Sequence, residues 1–233
     1  REVVSLYLEG VKYILQDIPA VLAKSNQALA TLTKYRTRLD ELSSRLTRAE
    51  FAGGVVLYDA LAVLQRSELV SRMATEVERY VIEVGTEGRL IEMQLEETMV
   101  GVASERLALM RDYAVEDTEE NVQFMVEQLA SLAHQDVLDF GRLAELLGYD
   151  RKVNTLDLVT EPRGYRLLGH VPRLPRLVVQ KIVQSFGSVE AALAASDEEL
   201  AAVDGVGPSR AKEIREGVRR LQGSVMADRF LNT

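Results

Sequence analysis

The sequence predicts a mainly α chain with a short β segment at its start. Three observations carry this. Leu22, Leu29, Leu32, Leu39, Leu42 and Leu46 recur at helical spacings, the apolar stripe of one long helix over 18–48. Strand-forming runs are confined to residues 3–15, VVSLYL and VKYIL around a Glu9-Gly10 turn, which predicts a single hairpin. Beyond residue 160, two related segments each read as a short helix, a tight turn and a longer helix.

The elements follow in order. A lone hairpin is marginal in water, so 1–17 reads as the remnant of a sheet whose other strands lie outside this chain. The start at Arg1 rather than Met agrees with a fragment. The helix over 18–48 fits either an oligomerisation or inter-domain spine or an ordinary bundle helix, since length and repeat alone do not make a coiled coil. Gly53-Gly54 ends it, and a second helix is expected over 56–80. Thr86-Glu87-Gly88 reads as a turn, 89–99 and 104–112 as helices, and 119–147 as one or two more, closed by Gly148. Residues 149–162 are polar, lack periodicity and end in Pro162, which places a domain boundary there. The expected division is therefore 1–17, a helical linker bundle over 18–150, a second domain over 162–222 and a tail over 223–233.

Composition narrows the function. The chain carries 47% hydrophobic and 27% charged residues, as a soluble globular chain does, and no apolar run approaches a membrane span. The absence of cysteine excludes disulfides and thiolate metal sites and fits a reducing cytoplasm. His134 and His170 stand alone, which argues against zinc. No phosphate-binding Walker loop and no nucleophile–base pair is legible, so no catalytic residue is assigned. Glu96-Glu97 and Glu119-Glu120 read as solvated helix faces. The net charge is −8, yet residues 162–222 hold ten Lys and Arg against seven Asp and Glu, and the remainder 18 against 29. Such asymmetry suggests different partners for the two parts.

The motif that carries chemistry is SDEELAAVDGVGPSRAKEIREGVRRL, residues 196–221. Ser196 and Glu199 form a capping box that opens a short helix. Gly205 and Gly207 bracket Val206 in a tight turn, and Pro208 suits the first turn of the next helix. Glycines leave no Cβ in front of the turn, so a phosphate can reach the amides of the loop and of the helix N-terminus, where the helix dipole favours it. Ser209 adds a hydroxyl, and Arg210, Lys212 and Arg215 add positive charge. Amides meet every phosphate alike, so this grip would hold DNA without reading its sequence. A lone Gly-x-Gly is a weak signal. The longer pattern of Val203, Gly205, Gly207, Ala211 and Ile214 between two helices is far more specific.

Shifted by 35 residues, the sequence repeats its apolar positions. Tyr165, Leu168, Val171, Val179, Val183 and Phe186 fall on Leu200, Val203, Val206, Ile214, Val218 and Leu221. Two such units, joined by 188–195, predict a tandem helix-hairpin-helix domain of five helices. The first copy has His170 and Pro172 where the second has Gly205 and Gly207, and proline has no N–H to offer. Phosphate binding is therefore expected of the second hairpin, with Arg173 and Arg176 of the first as plain charges and His170 as a surface or interface residue.

Taken whole, the chain resembles the DNA integrity scanning (DisA) family of bacterial diadenylate cyclases. The segments that carry the resemblance are SLYLEGVKYILQD, LAKSNQALATLTKYRTRLDEL, RGYRLLGHVPRLP and VDGVGPSRAKEIREGVRRL. It implies an N-terminal cyclase domain ending in 1–17, a linker spine over 18–150 and a DNA-binding domain over 162–222. It also implies a cytoplasmic, nucleoid-associated homo-octamer that joins two ATP into cyclic di-AMP with Mg or Mn and senses branched or damaged DNA. The family's Asp-Gly-Ala and Arg-His-Arg signatures occur nowhere in these residues, so ATP and metal are expected only in the missing domain, and this chain alone is expected to be inactive and to carry no cofactor. A junction-binding repair helper and a helical assembly scaffold stand as alternatives.

Overall fold

Pro19 lies in the first turn of a helix, where a missing N–H costs nothing, and no glycine or proline follows for thirty-three residues. In the computed structural model, which describes residues 5–8, 11–14, 18–152 and 154–231, that run forms one helix, α1 (Ile18–Phe51). Before it, β1 (Ser5–Leu8) pairs antiparallel with β2 (Val11–Ile14), Ser5 opposite Ile14 and Leu8 opposite Val11. The predicted Glu9-Gly10 turn lies outside the described residues. Leu29, Leu32, Leu39 and Leu46 of the predicted stripe are buried, and Leu22 and Leu42 are half-buried.

The second helix, α2 (Leu57–Val84), runs past the predicted end at 80 because nothing interrupts it before Gly85, whose φ is +60°. A 3₁₀ turn (Gly85–Gly88) leads into α3 (Arg89–Met99), and Gly101, at φ +81°, separates α3 from α4 (Val102–Tyr113). Instead of one or two helices over 119–147 there are three: α5 (Glu119–Ser131), α6 (His134–Leu138) and α7 (Phe140–Leu146). The break before α7 is local chemistry. The Asp139 carboxylate accepts from the amides of Gly141 and Arg142, an N-cap that ends one helix and starts the next. Gly148 follows in the left-handed region, φ +91°, as expected.

The stretch 149–162 holds more than the sequence suggests. It contains a 3₁₀ turn (Thr155–Asp157) and a two-residue strand, β4 (Val159–Thr160), which pairs antiparallel with β3 (Val55–Val56). The Leu57 N–H donates a further hydrogen bond to Leu158 O at 2.8 Å. Then come α8 (Tyr165–Gly169), α9 (Arg176–Phe186), α10 (Val189–Ala194), α11 (Asp197–Ala202) and α12 (Gly207–Leu231). The five-helix prediction stands, with α10 as the connector. Helix α12 continues to Leu231, past residue 222 where a tail was expected, because nothing after Gly207 but Gly217 and Gly223 opposes it.

Two units emerge from the contacts. One is Arg1–Arg38 with Leu69–Gly101, and within it Arg36 of α1 donates to Thr98 O at the end of α3 (3.1 Å). The other is Leu39–Glu68 with Val102–Thr233. The segment 162–222 has a hydrophobic core of its own, built from Leu168, Val179, Ile182, Val183, Leu200, Val206, Ala211 and Ile214 among others. Yet it falls in one unit with 39–68 and 102–161, so the division at 150–162 is not where contacts separate. No helix among the described residues is long and apolar enough to cross a membrane.

Candidate nucleic-acid interface

The second hairpin is set by its caps. Ser196 accepts from Glu199 N and the Glu199 side chain accepts from Ser196 N, the predicted capping box at the head of α11. At the other end, Val206 N donates to Val203 O (3.0 Å), which closes the turn. Val203 and Val206 are buried and pin it to the core, with Ala211 and Ile214 buried beneath. Gly205 and Gly207 have φ of +82° and +64°, so both glycines are needed for the backbone conformation itself. A Cβ on Gly207 would meet nothing within 4 Å, and one on Gly205 only the Lys181 ammonium at 4.0 Å. The face of the turn is open.

The first turn of a helix leaves its amides without intrahelical partners. In α12 those belong to Gly207, Ser209 and Arg210, Pro208 having none. Ser209, Arg210 and Lys212 are exposed, and Arg210 donates to Gly205 O across the turn. Arg215 is placed elsewhere. Its guanidinium holds Asp197 and Ala195 O at the N-terminal end of α11, whereas the turn lies at that helix's C-terminal end. Two helical turns separate Arg215 from the loop, and a capping-turn carboxylate claims it. One cation near the loop was not foreseen: Lys181 of α9 forms an ion pair with Asp204. Its partner is 23 residues away, so only the packing of the two hairpins reveals it.

The first hairpin is built differently. Between α8 and α9 the turn spans 170–175, against 203–206 in the second. Pro172 and Pro175 delay the helix, since a residue before proline avoids the α region. Of the residues aligned with the two glycines, His170 is ordinary right-handed backbone and Pro172 has no amide proton. The left-handed position is instead Arg173, φ +62°, unique among the described non-glycine residues. Arg173 and Arg176 are exposed. Val171, like Val206, is buried, and Gly217 of α12 packs so closely on it that a Cβ there would lie 2.6 Å from its methyl. The repeat is thus kept inside and abandoned at the surface.

What the first hairpin does hold is the helices before it. The Asp112 carboxylate at the end of α4 accepts from the amides of Gly164, Tyr165 and Arg166 (2.7, 2.7 and 2.8 Å), capping α8. In return Arg163 donates to the carbonyls of Arg111, Asp112, Ala114 and Val115, which end α4. Burial, with the nearby Glu50 charge, pushes the Asp112 carboxyl up to about 7 against the three amides. Arg166, 1% exposed, grips Glu50 with two nitrogens (3.0 and 2.6 Å) and also reaches Thr47, Ser43 and Glu105. Tyr113 donates to Glu50 as well (2.8 Å). His170 sits with its Nε2 3.8 Å from Glu105, an interface residue as expected, and burial and Arg166 hold its pKa below the usual histidine value. No pattern of spacing or composition points to this network.

A helical chain ending in two unequal helix-hairpin-helix units, one open and one bound to the helices before it, is the class that fold and site define. Comparison with known proteins agrees. The chain belongs to the DisA family, since residues 15–156 match the DisA bacterial checkpoint controller linker region. It is 43% identical over 231 residues to the DNA integrity scanning protein DisA of Streptomyces coelicolor, covering 98% of this chain and 62% of that one. It is also 43% identical over 230 residues to that of Frankia alni, covering 98% and 64%. With that of Carboxydothermus hydrogenoformans the figure is 42% over 222 residues, 95% and 63%. The chain thus spans less than two thirds of the length of these relatives.

Proposed function

We propose that this chain is the DNA-engaging and coupling part of a DisA-like diadenylate cyclase, and that its second hairpin holds DNA by the phosphate backbone. The observation that carries this reading is the open turn at 203–207. Two left-handed glycines open onto unobstructed space at the first turn of a twenty-five-residue helix, whose leading amides have no intrahelical partner, and Arg210 and Lys212 are exposed on that helix's first turns. A phosphate oxygen fits that space because amides donate to it and the helix dipole attracts it. No group there reads a base edge, so the grip is indifferent to sequence, and branched DNA is favoured only by its shape. The relatives' name, DNA integrity scanning protein, supports the same partner.

Cyclic di-AMP synthesis from ATP with Mg or Mn, and assembly as an octamer, belong in this reading to the whole protein. The residues present do not fit the nucleotide or the metal. Neither signature triplet occurs, and no group of three His, Asp or Glu among the described residues could hold a metal ion. No catalytic step is assigned to them.

The test is binding of this chain to two unrelated duplexes and a four-way junction as salt is varied. Backbone contact predicts equal affinity for the two duplexes and a log–log slope of roughly −2 to −5, from about −0.9 per neutralised phosphate. A flat response would favour a scaffold that binds protein through its hairpins, and a strong preference between the duplexes would exclude amide capture.

A further inference from the structure

Lys181 lies in the middle of α9, the second helix of the first hairpin, yet its ammonium stands at the turn of the second. It is bound there to Asp204, whose side chain is 86% exposed, while that of Lys181 is 33% exposed. An exposed pair of this kind contributes little to folding, so the fold does not require it. The carboxylate is also out of keeping with its place, because it heads the turn whose amides would receive an anion. Lys181 neutralises it. The repeat sharpens the point. Thirty-five residues on from Lys181 is Glu216, which is exposed and stands next to Gly217, the residue packed on Val171 of the first turn. The equivalent position in the second hairpin thus carries the opposite charge, and the cation is particular to the first.

We propose that Lys181 is a DNA-phosphate ligand of the second hairpin, supplied by the first, and that Asp204 is its resting partner, exchanged for phosphate when DNA binds. This rests on backbone binding by the second hairpin. The exchange swaps one ion pair for another, Lys181 passing from carboxylate to phosphate. Asp204, already mostly in water, is released at little cost. Asp204 thereby weakens every encounter by competing for the same ammonium, which keeps the grip reversible.

Opposite signs test the proposal. The chain is titrated with a short duplex and a four-way junction over roughly 50–200 mM salt. Lys181→Gln should weaken binding about three- to tenfold on all DNA alike. Asp204→Asn should tighten it about threefold and steepen the salt slope by up to about 0.9. The double variant should fall between them. Lys152→Gln, a lysine outside the hairpins paired with Asp150, should change nothing, which separates contact from general charge. A merely structural pair would lower the melting temperature and weaken binding in both single variants, and that outcome overturns the proposal. So does a Lys181→Gln variant that binds as wild type while Gly205→Ala/Gly207→Ala does not. If wild type itself fails to bind DNA, the reading of the second hairpin fails first.

Discussion

The turn at 170–175 and the turn at 203–206 occupy equivalent places in a 35-residue repeat, and they have gone separate ways. Both bury a central valine, Val171 and Val206. Outside that shared core, the second turn keeps two left-handed glycines and open space, whereas the first replaces them with His170 and Pro172 and lies under α12 at Gly217. The helix leading into the first turn is fastened to α1 and α4 by Arg166, Asp112 and Arg163. The helix leading into the second is capped only within its own hairpin, by Ser196 and Glu199. The repeat supplies two alike halves. One is fastened to the helices before it and the other keeps its turn open, because a surface cannot be buried against a neighbouring helix and open to solvent at once.

The largest effect that would break this comparison lies at the attachment. Arg166→Met leaves Glu50 buried without its charge partner and should cost about 3–5 kcal/mol of stability. Calorimetry or a denaturant melt measures it, and adding Glu50→Gln should recover part of the loss. The fraction still folded should bind DNA as wild type does. If affinity instead collapses in step with a modest stability loss, the first hairpin is part of the grip and the division of labour is wrong.

Next is the grip itself. Gly205→Ala with Gly207→Ala forces left-handed backbone on two alanines at about 1–2 kcal/mol each, or displaces the turn and its amides. DNA affinity should fall roughly tenfold or more, since a charge-assisted hydrogen bond is worth about 1.5–3 kcal/mol. A melt run on the same sample shows whether the turn or the fold was lost. A well-folded double variant with undiminished affinity would make the second hairpin as structural as the first.

Much of this contrast is legible in the sequence, and the limits are physical. The repeat shows because buried positions tolerate only apolar residues, so Leu168 and Val203, or Val179 and Ile214, keep step. The glycine turn shows because glycine takes a positive φ at far lower cost than any other residue. Arg166 does not show, since in YRLLGH it looks like any surface cation and its partners lie 61 to 123 residues away. The β3–β4 pair has two residues per strand, too few for any period. Of the two breaks in 119–147, the one before α7 turned on a single side-chain cap, Asp139, within an otherwise continuous helical pattern.

The smallest effects sharpen the comparison by position. Arg210→Ala and Lys212→Ala should each weaken DNA binding a fewfold, evenly across sequences, and reduce the salt slope by about one. Arg215→Ala should leave the slope alone, because that side chain serves Asp197 and Ala195. Pro172→Ala in the first turn should leave affinity unchanged within error. A slope change at Arg215 as large as at Lys212 would show that the Asp197 pair opens on DNA.

The reciprocal capping of α4 and α8 also governs where this chain can be cut. The repeat outlines a tidy piece beginning near Pro162, with its own apolar core. Such a piece would leave behind Asp112, Glu50, Ser43, Thr47 and Glu105. Its first helix, five residues long, would then lack the carboxylate that holds its three leading amides and every side chain that holds its arginine. A helix so short has no stability apart from its packing. Ala108 of α4, packed against the module's core, would go too. The excised piece would keep its second hairpin and fray at its first, so an autonomous fragment has to start upstream of α1's second half, at the cost of carrying the spine along.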